Sequence, residues 1–164
     1  KIQGPEKLKS DLELRKDLQS KIPKDYLPMW LREREIETRQ VEPVDLLKAE
    51  KLPPYRSTWM KPTGKLPTDE RIHQALLLYV SDMGLLGAAV NPHEVNFMSK
   101  KFQSASLDHV MWFHGKVNFN NWILHHMHSP ISQNARGFSR GSIYTKSGKL
   151  IASTAQEGLM RIWV

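Results

Sequence analysis

The chain has 164 residues, of which 40% are hydrophobic and 25% charged, with a formal net charge of +7 and no cysteine. That size and composition suit one globular domain with a sizeable core. The lack of cysteine excludes a disulfide framework, a thiolate zinc site and a cysteine nucleophile, and no uninterrupted apolar run reaches the ~18 residues of a membrane span.

Residues 1–34 are dense in charges of both signs. In EKLKSDLELRKDLQSKI, Leu8, Leu12, Leu14, Leu18 and Ile22 recur mostly three or four residues apart, which predicts an amphipathic helix from Glu6 to Ile22. Pro23 ends it and YLPMWL follows as an apolar docking segment; a linker helix with a solvated face is favoured over a partner-binding role. REIETRQVEPVD alternates β-branched residues up to Pro43 and predicts a strand; KLPPYR reads as a turn, STWMK as a short strand and PTGKLPT as a loop.

TDERIHQALLLYVSDMGLLGAAV is the clearest helix. Thr68 or Asp69 caps it, acids occupy its first turn, and Ala75 to Val80 is apolar on nearly every face. That predicts a buried helix, fraying at Gly84 and Gly87. After NPHEVNFMSKKFQS come four long strand patterns, ASLDHVMWFHGKV, NWILHHMHSP, ARGFSRGSIYTK and KLIASTAQEGLMRIWV, with KVNFNN and KSGK as hairpin turns. No repeat shows at solenoid periods. Two strands, a buried helix and four antiparallel strands predict an α+β fold in which a sheet wraps one long helix.

From Asn91 onward the acids are Glu94, Asp108 and Glu157, against Lys100, Lys101, Lys116, Arg136, Arg140, Lys146, Lys149 and Arg161. A basic half attracts anions such as a phosphorylated small molecule, a membrane surface or nucleic acid. The bases are scattered and the aromatics read as core, so no nucleic-acid partner is expected. The chain opens on Lys1 without a signal-peptide pattern and ends in RIWV, not in an S-K-L-type tripeptide. The missing Met and an end inside an apolar strand read as a fragment.

Few residues bear chemistry. Asp82 follows Tyr79, Val80 and Ser81 near the end of the apolar helix. Burial and the negative helix end would both favour its neutral form and raise its pKa, which marks it as a candidate site residue. In HHMH, strand alternation puts His126 and His128 on one face and His125 on the other; no Cys or carboxylate is near in sequence, so exposed strand histidines are expected rather than a metal site. Asp108 and His109 are adjacent, so in a strand they point to opposite faces and cannot form one Asp-His pair. No G-x-S-x-G elbow supplies a nucleophile.

YVSDMGLL, ASLDHVMWFH, NWILHHMHSP and ARGFSRGSIYTKSGKLIASTAQEG together resemble the acyl-CoA thioesterase II family, a double-hotdog family, over Ile36 to Arg161. The resemblance implies a hotdog fold, with residues 35–164 as the second of two repeats and residues 1–34 as the linker between them. It implies three catalytic residues by matched position: Asp82 as general base, with Ser106 and Gln156 holding the lytic water or the carbonyl oxygen. Asp108, His109 and His114 are then expected to be structural. The implied reaction is hydrolysis of acyl-CoA to fatty acid and CoA by activated water, with direct attack favoured over an anhydride through Asp82 and without metal or cofactor. One departure is GKVNF after the Phe-His pair, where many members carry a basic-Pro-Phe segment; it bears on the acyl pocket. The implied partners are acyl-CoA, the N-terminal hotdog repeat and a further copy in a homo-oligomer, since an unpaired sheet edge is a liability. The implied location is peroxisomal, with a leaning toward a fungal member and the cytoplasm as alternative. A hotdog hydratase or dehydratase, and a non-catalytic acyl-CoA-binding or assembly half, are the competing functions.

Overall fold

The computed structural model describes residues 2–45, 47–95 and 99–163. Its N-terminal stretch is not the single helix from Glu6 to Ile22 that the leucine spacing predicts. Ser10 closes a capping box with Glu13: its hydroxyl accepts from Glu13 N and the Glu13 carboxylate accepts from Ser10 N. This starts a helix at the eleventh residue, so α1 spans only Asp11–Asp17, between short 3-10 turns at Pro5–Lys7 and Gln19–Lys21. The apolar segment that follows forms α2 (Leu27–Trp30) and does dock. Trp30 is buried and donates its indole N–H to the Arg15 carbonyl, while the buried Arg15 guanidinium donates to Asp11 and to the Trp30 carbonyl. Trp59 reaches back to the Gln3 carbonyl and Arg39 to those of Pro5 and Leu8, tying the segment to the sheet.

The strands are β1 (Ile36–Gln40) and β2 (Tyr55–Pro62), then, after the helices α3 (Glu70–Ser81) and α4 (Leu85–Val90), β3 (Phe102–Ser106), β4 (Val110–Phe113), β5 (Ile123–Gln133), β6 (Arg136–Thr145) and β7 (Leu150–Ile162). They form one seven-stranded antiparallel sheet in the order β1-β2-β5-β6-β7-β3, with β4 also paired to β7. Asn134 and Ala135, at φ 51° and 58°, make the two-residue turn between β5 and β6. KSGK turns β6 into β7 as expected, with Gly148 at φ 89°.

Two strand expectations fail. ASLDHVMWFHGKV is not one strand but two, β3 and β4, separated by Leu107 to His109. KVNFNN is not a hairpin turn. β4 lies on β7 whereas β5 pairs with β2 and β6, so the connection crosses from one part of the sheet to another. Its Val117 and Phe119 side chains, 1% and 0% exposed, drop into the core with Ile36, Met60, Leu77, Val80, Ile123, Ile143 and Ile151.

The helix also departs from expectation. Asp69 caps α3 by accepting from Arg71 N, but the turn at Gly84, φ 94°, splits the predicted Thr68–Val90 helix into α3 and α4. α3 is not buried all round: Leu77 and Val80 face the core, while Tyr79 is 64% and Leu78 43% exposed. α4 is the closely packed part. It approaches the sheet over Gly137 and Gly158, where an added Cβ would stand 2.5 Å from Ala89 Cβ and 2.6 Å from Leu86 Cδ1. By length and composition Glu70–Val90 could cross a membrane, a test that core helices also pass; here the inner face of α3 and most of α4 pack on the sheet.

His125 is not an exposed strand histidine. It points inward from β5 at 0% exposure, with Nε2 3.3 Å from Thr154 Oγ1 and no hydrogen-bond partner for Nδ1 among the described residues. Burial, then the neighbouring His109 and His126, push its pKa down to about 3. A histidine whose folded pKa lies below its unfolded value contributes stability that is present above about pH 6.5 and lost as pH falls toward 3. The shift corresponds to a loss of up to roughly 5 kcal/mol by the bottom of that window. His125→Gln should flatten the fall of the urea midpoint between pH 7 and 4; an unchanged slope would mean that His125 does not drive it.

Candidate active site

Three elements converge at the C-terminus of α3. Asp82 is the residue that ends this helix, Ser106 is the last residue of β3, and Gln156 faces inward from the middle of β7 at 2% exposure. Ser106 pairs with Gly158 and Ser139 with Gln156 in the sheet ladder, which fixes how far along β7 the site lies.

The side chains form a closed triangle. Asp82 Oδ1 accepts from Ser106 Oγ at 2.9 Å and from Gln156 Nε2 at 2.5 Å. Gln156 Nε2 also donates to Ser106 Oγ at 2.5 Å. None of the hydrogen bonds among the described residues goes to Asp82 Oδ2. The arrangement is that of an acceptor-only carboxylate with one oxygen committed and one open, backed by a hydroxyl and a buried amide. The residues can accept a proton from a bound water through Oδ2, and can orient that water or a carbonyl oxygen through the hydroxyl and the amide N–H groups.

The expected desolvation of Asp82 does not occur, because Asp82 and Ser106 are both exposed. The helix that carries Asp82 is open to solvent on its outer side, so only the Gln156 end of the triangle is enclosed.

His109 and Ser81 belong to the same cluster, which the strand-alternation reading missed. Leu107 N donates to the Glu157 carbonyl, and Glu157 N donates to Asp108 Oδ1 at 2.8 Å. This pair of bonds pins the break between β3 and β4 and turns His109 toward the helix. His109 Nδ1 lies 3.2 Å from Gln156 Oε1 and Nε2 lies 2.8 Å from Ser81 Oγ. Asp108 and His109 therefore do have different partners, as adjacency predicts, but through a chain break rather than through pleating. The signal available was the run Ser106-Leu107-Asp108-His109, too polar to be the interior of a strand. His114 lies apart, bonded to Ser153 Oγ at 2.8 Å.

Exposed apolar side chains crowd the elements around the triangle: Ile72, Leu78, Tyr79 and Met83 on the helix side, Leu107, Val110, Trp112 and Phe113 on the strand side. Among the described residues, the edge of β3 and β4 away from β7 has no strand beside it. A cleft of about 400 Å³ lies elsewhere, lined by Trp59, Leu124, His126 and Tyr144. The triangle is thus an open surface in this chain. Among the described residues no three of His, Cys, Asp or Glu gather as a metal site would require.

The profile of the family described as acyl-CoA thioesterase matches residues 30–159. Acyl-CoA thioesterase 2 of Haemophilus influenzae is 36% identical over 140 residues, covering 85% of this chain and 49% of that protein. A peroxisomal acyl-coenzyme A thioester hydrolase of Saccharomyces cerevisiae is 34% identical over 91 residues, covering 55% of this chain and 26% of that protein. The crystal structure of the acyl-CoA thioesterase II TesB2 of Mycobacterium marinum superposes with a TM-score of 0.70 at 27% identity, covering 99% of this chain and 55% of that one. A hot dog fold protein of Alicyclobacillus acidocaldarius superposes with a TM-score of 0.65 at 15% identity, covering 100% of this chain and 55% of that one, so the fold is the hotdog. The chain spans about half the length, or less, of the curated relatives it matches.

Proposed function

Because the chain belongs to the acyl-CoA thioesterase family, we propose that the protein hydrolyses acyl-CoA thioesters to a fatty acid and CoA, with Asp82, Ser106 and Gln156 as its catalytic residues. The observation that carries this reading is the hydrogen-bonded triangle, whose second carboxylate oxygen accepts no hydrogen bond among the described residues. In the proposed step Asp82 Oδ2 takes a proton from water as the water oxygen attacks the thioester carbonyl carbon. The Gln156 amide N–H groups and the Ser106 hydroxyl, engaged within the triangle at rest, share those hydrogens with the entering water and the developing oxyanion. The tetrahedral intermediate collapses, the C–S bond breaks, and the proton held by Asp82 passes to the departing CoA sulfur. No metal or cofactor enters this scheme. The basic residues of the second half of the chain suit the phosphates of CoA.

The same reading assigns residues 35–164 to the second hotdog repeat and residues 1–34 to the connection from the first. The first repeat is proposed to cover the exposed apolar side chains of α3 and β4 and the free sheet edge, which supplies the acyl-binding wall this chain lacks. Assembly into a homo-oligomer is part of the proposal. A peroxisomal location is proposed from the name of the yeast relative, with the cytoplasm as the alternative.

The test is thiol release from acyl-CoAs of increasing chain length, by this chain alone and by the protein with its N-terminal half. Turnover is expected only with both halves present, since the acyl-facing surface is otherwise open. Turnover at the same rate by this chain alone would overturn the shared-site part of the proposal.

A further inference from the structure

The Gln156 side chain is almost fully buried, yet nothing in an amide group by itself decides which end faces Asp82. Asp82 decides it at rest: a carboxylate only accepts, so the atom 2.5 Å from Oδ1 must be the NH2 nitrogen. The Gln156 oxygen then faces His109 Nδ1 at 3.2 Å, and because an amide oxygen only accepts, that nitrogen must carry a hydrogen.

The other ring nitrogen is held by Ser81. Its hydroxyl lies 2.8 Å from His109 Nε2 and 2.8 Å from the Leu78 carbonyl, and it has a single hydrogen to give. Because the Gln156 oxygen requires a hydrogen on Nδ1, a neutral imidazole takes the Ser81 hydrogen at Nε2, and the Leu78 carbonyl gives it up. Beside an imidazolium it accepts from Nε2 and donates to Leu78. In both cases Nδ1–H stays on the Gln156 oxygen.

Resting on the hydrolase reading above, we propose that His109 is a positioning residue, held by Ser81, that keeps the Gln156 amide aimed with its N–H groups toward Asp82 and Ser106 throughout turnover. The need for it follows from the proposed chemistry. When Asp82 takes the proton from water it stops being a full anion, and its hold on the Gln156 nitrogen weakens at the moment the oxyanion forms. The His109 hold does not pass through Asp82, so the amide does not rotate and present its oxygen to the developing negative charge. The titratable groups facing His109 are Asp82, through Gln156, and the buried His125.

The experiment compares His109→Ala, His109→Asn and His109→Gln in the same two-half preparation as the thiol-release assay. Asn places an N–H near the position of Nδ1, whereas Gln places it near Nε2. His109→Ala is expected to lower kcat tenfold to a hundredfold, on the order of one lost hydrogen bond at a reacting centre. KM should stay within about twofold, since the ground-state contacts to substrate are unchanged. His109→Asn should recover most of the loss and His109→Gln little of it. Equal impairment of all three, with thermal melts unchanged, would overturn the assignment. A second readout does not depend on activity: long-range 15N–1H correlation of the wild-type imidazoles should show His109 protonated on Nδ1 near neutral pH. Protonation on Nε2 alone would refute the proposal. Wild-type protein that releases no thiol from any acyl-CoA would sink the hydrolase reading, and the tautomer measurement would then decide the His109–Gln156 contact by itself.

Discussion

Asp82→Asn is expected to lower thiol release at least a hundredfold in the protein carrying both halves, within the range assigned to a positioned general base. The reasoning is geometric. Asn keeps the shape of Asp and an oxygen that can accept from Ser106 and Gln156, the two bonds now made to Oδ1. What it removes is the second carboxylate oxygen, the only group in the triangle that can take a proton from water. Because residue 82 is exposed at a helix end, the fold should hardly notice the change, and the melting temperature should stay within a few degrees. Ser106→Ala and Gln156→Ala remove one orienting group each and leave the base, so their losses should be smaller in kcat than that of Asp82→Asn. If Asp82→Asn kept more than a tenth of the wild-type rate, the base would have to be sought elsewhere.

Phe119→Ala is expected to cost about 3–5 kcal/mol of stability, the range for truncating a fully buried aromatic side chain. Phe119 is 0% exposed and sits in the crossing between β4 and β5 rather than in a surface turn. Its backbone is held as well: Phe119 N donates to His73 Nδ1 at 3.2 Å, and His73 Nε2 lies 2.9 Å from the Pro67 carbonyl. The neighbouring Asn118→Ala, at an exposed position, should cost less than about 1 kcal/mol. Urea unfolding of the two variants separates the alternatives. A hairpin turn at KVNFNN would leave both changes near neutral.

These two experiments probe different degrees of legibility. The KSGK turn, the Asp69 cap and the last three long strand patterns are local signals, and the structure follows them closely. The crossing at Phe119 is a topological fact: a six-residue stretch with three asparagines looks the same whether it joins neighbouring strands or spans the sheet, and only pairing of β4 with β7 decides. The outer face of α3 misleads for a related reason. An apolar side chain signals that a surface is to be covered, without saying whether this chain does the covering, and Leu78 and Tyr79 remain exposed here. The α1 region shows local chemistry overriding periodicity, because the Ser10–Glu13 box restarts a helix that leucine spacing would run through.

The site was legible in a similar, partial way. Asp82 stands out as a costly carboxylate at a helix end; the helix end is there, with Asp82 as the C-cap of α3, but the burial is not. Ser106 and Gln156 are separated from it by 24 and 74 residues along the chain, so only a family resemblance could link them before a fold was in hand. The period-two rule sets His109 aside, but it holds only inside an unbroken strand; the three bonds between Glu157 and residues 107–108 break it.

The measurement that tests the central claim most directly is product analysis of an acyl-CoA turned over in 18O-labelled water by the protein with both halves present. Hydrolysis predicts free CoA thiol in equal amount to a fatty acid carrying one 18O atom in its carboxylate. An acyl-CoA recovered with its thioester intact and water added across its acyl chain would contradict the claim.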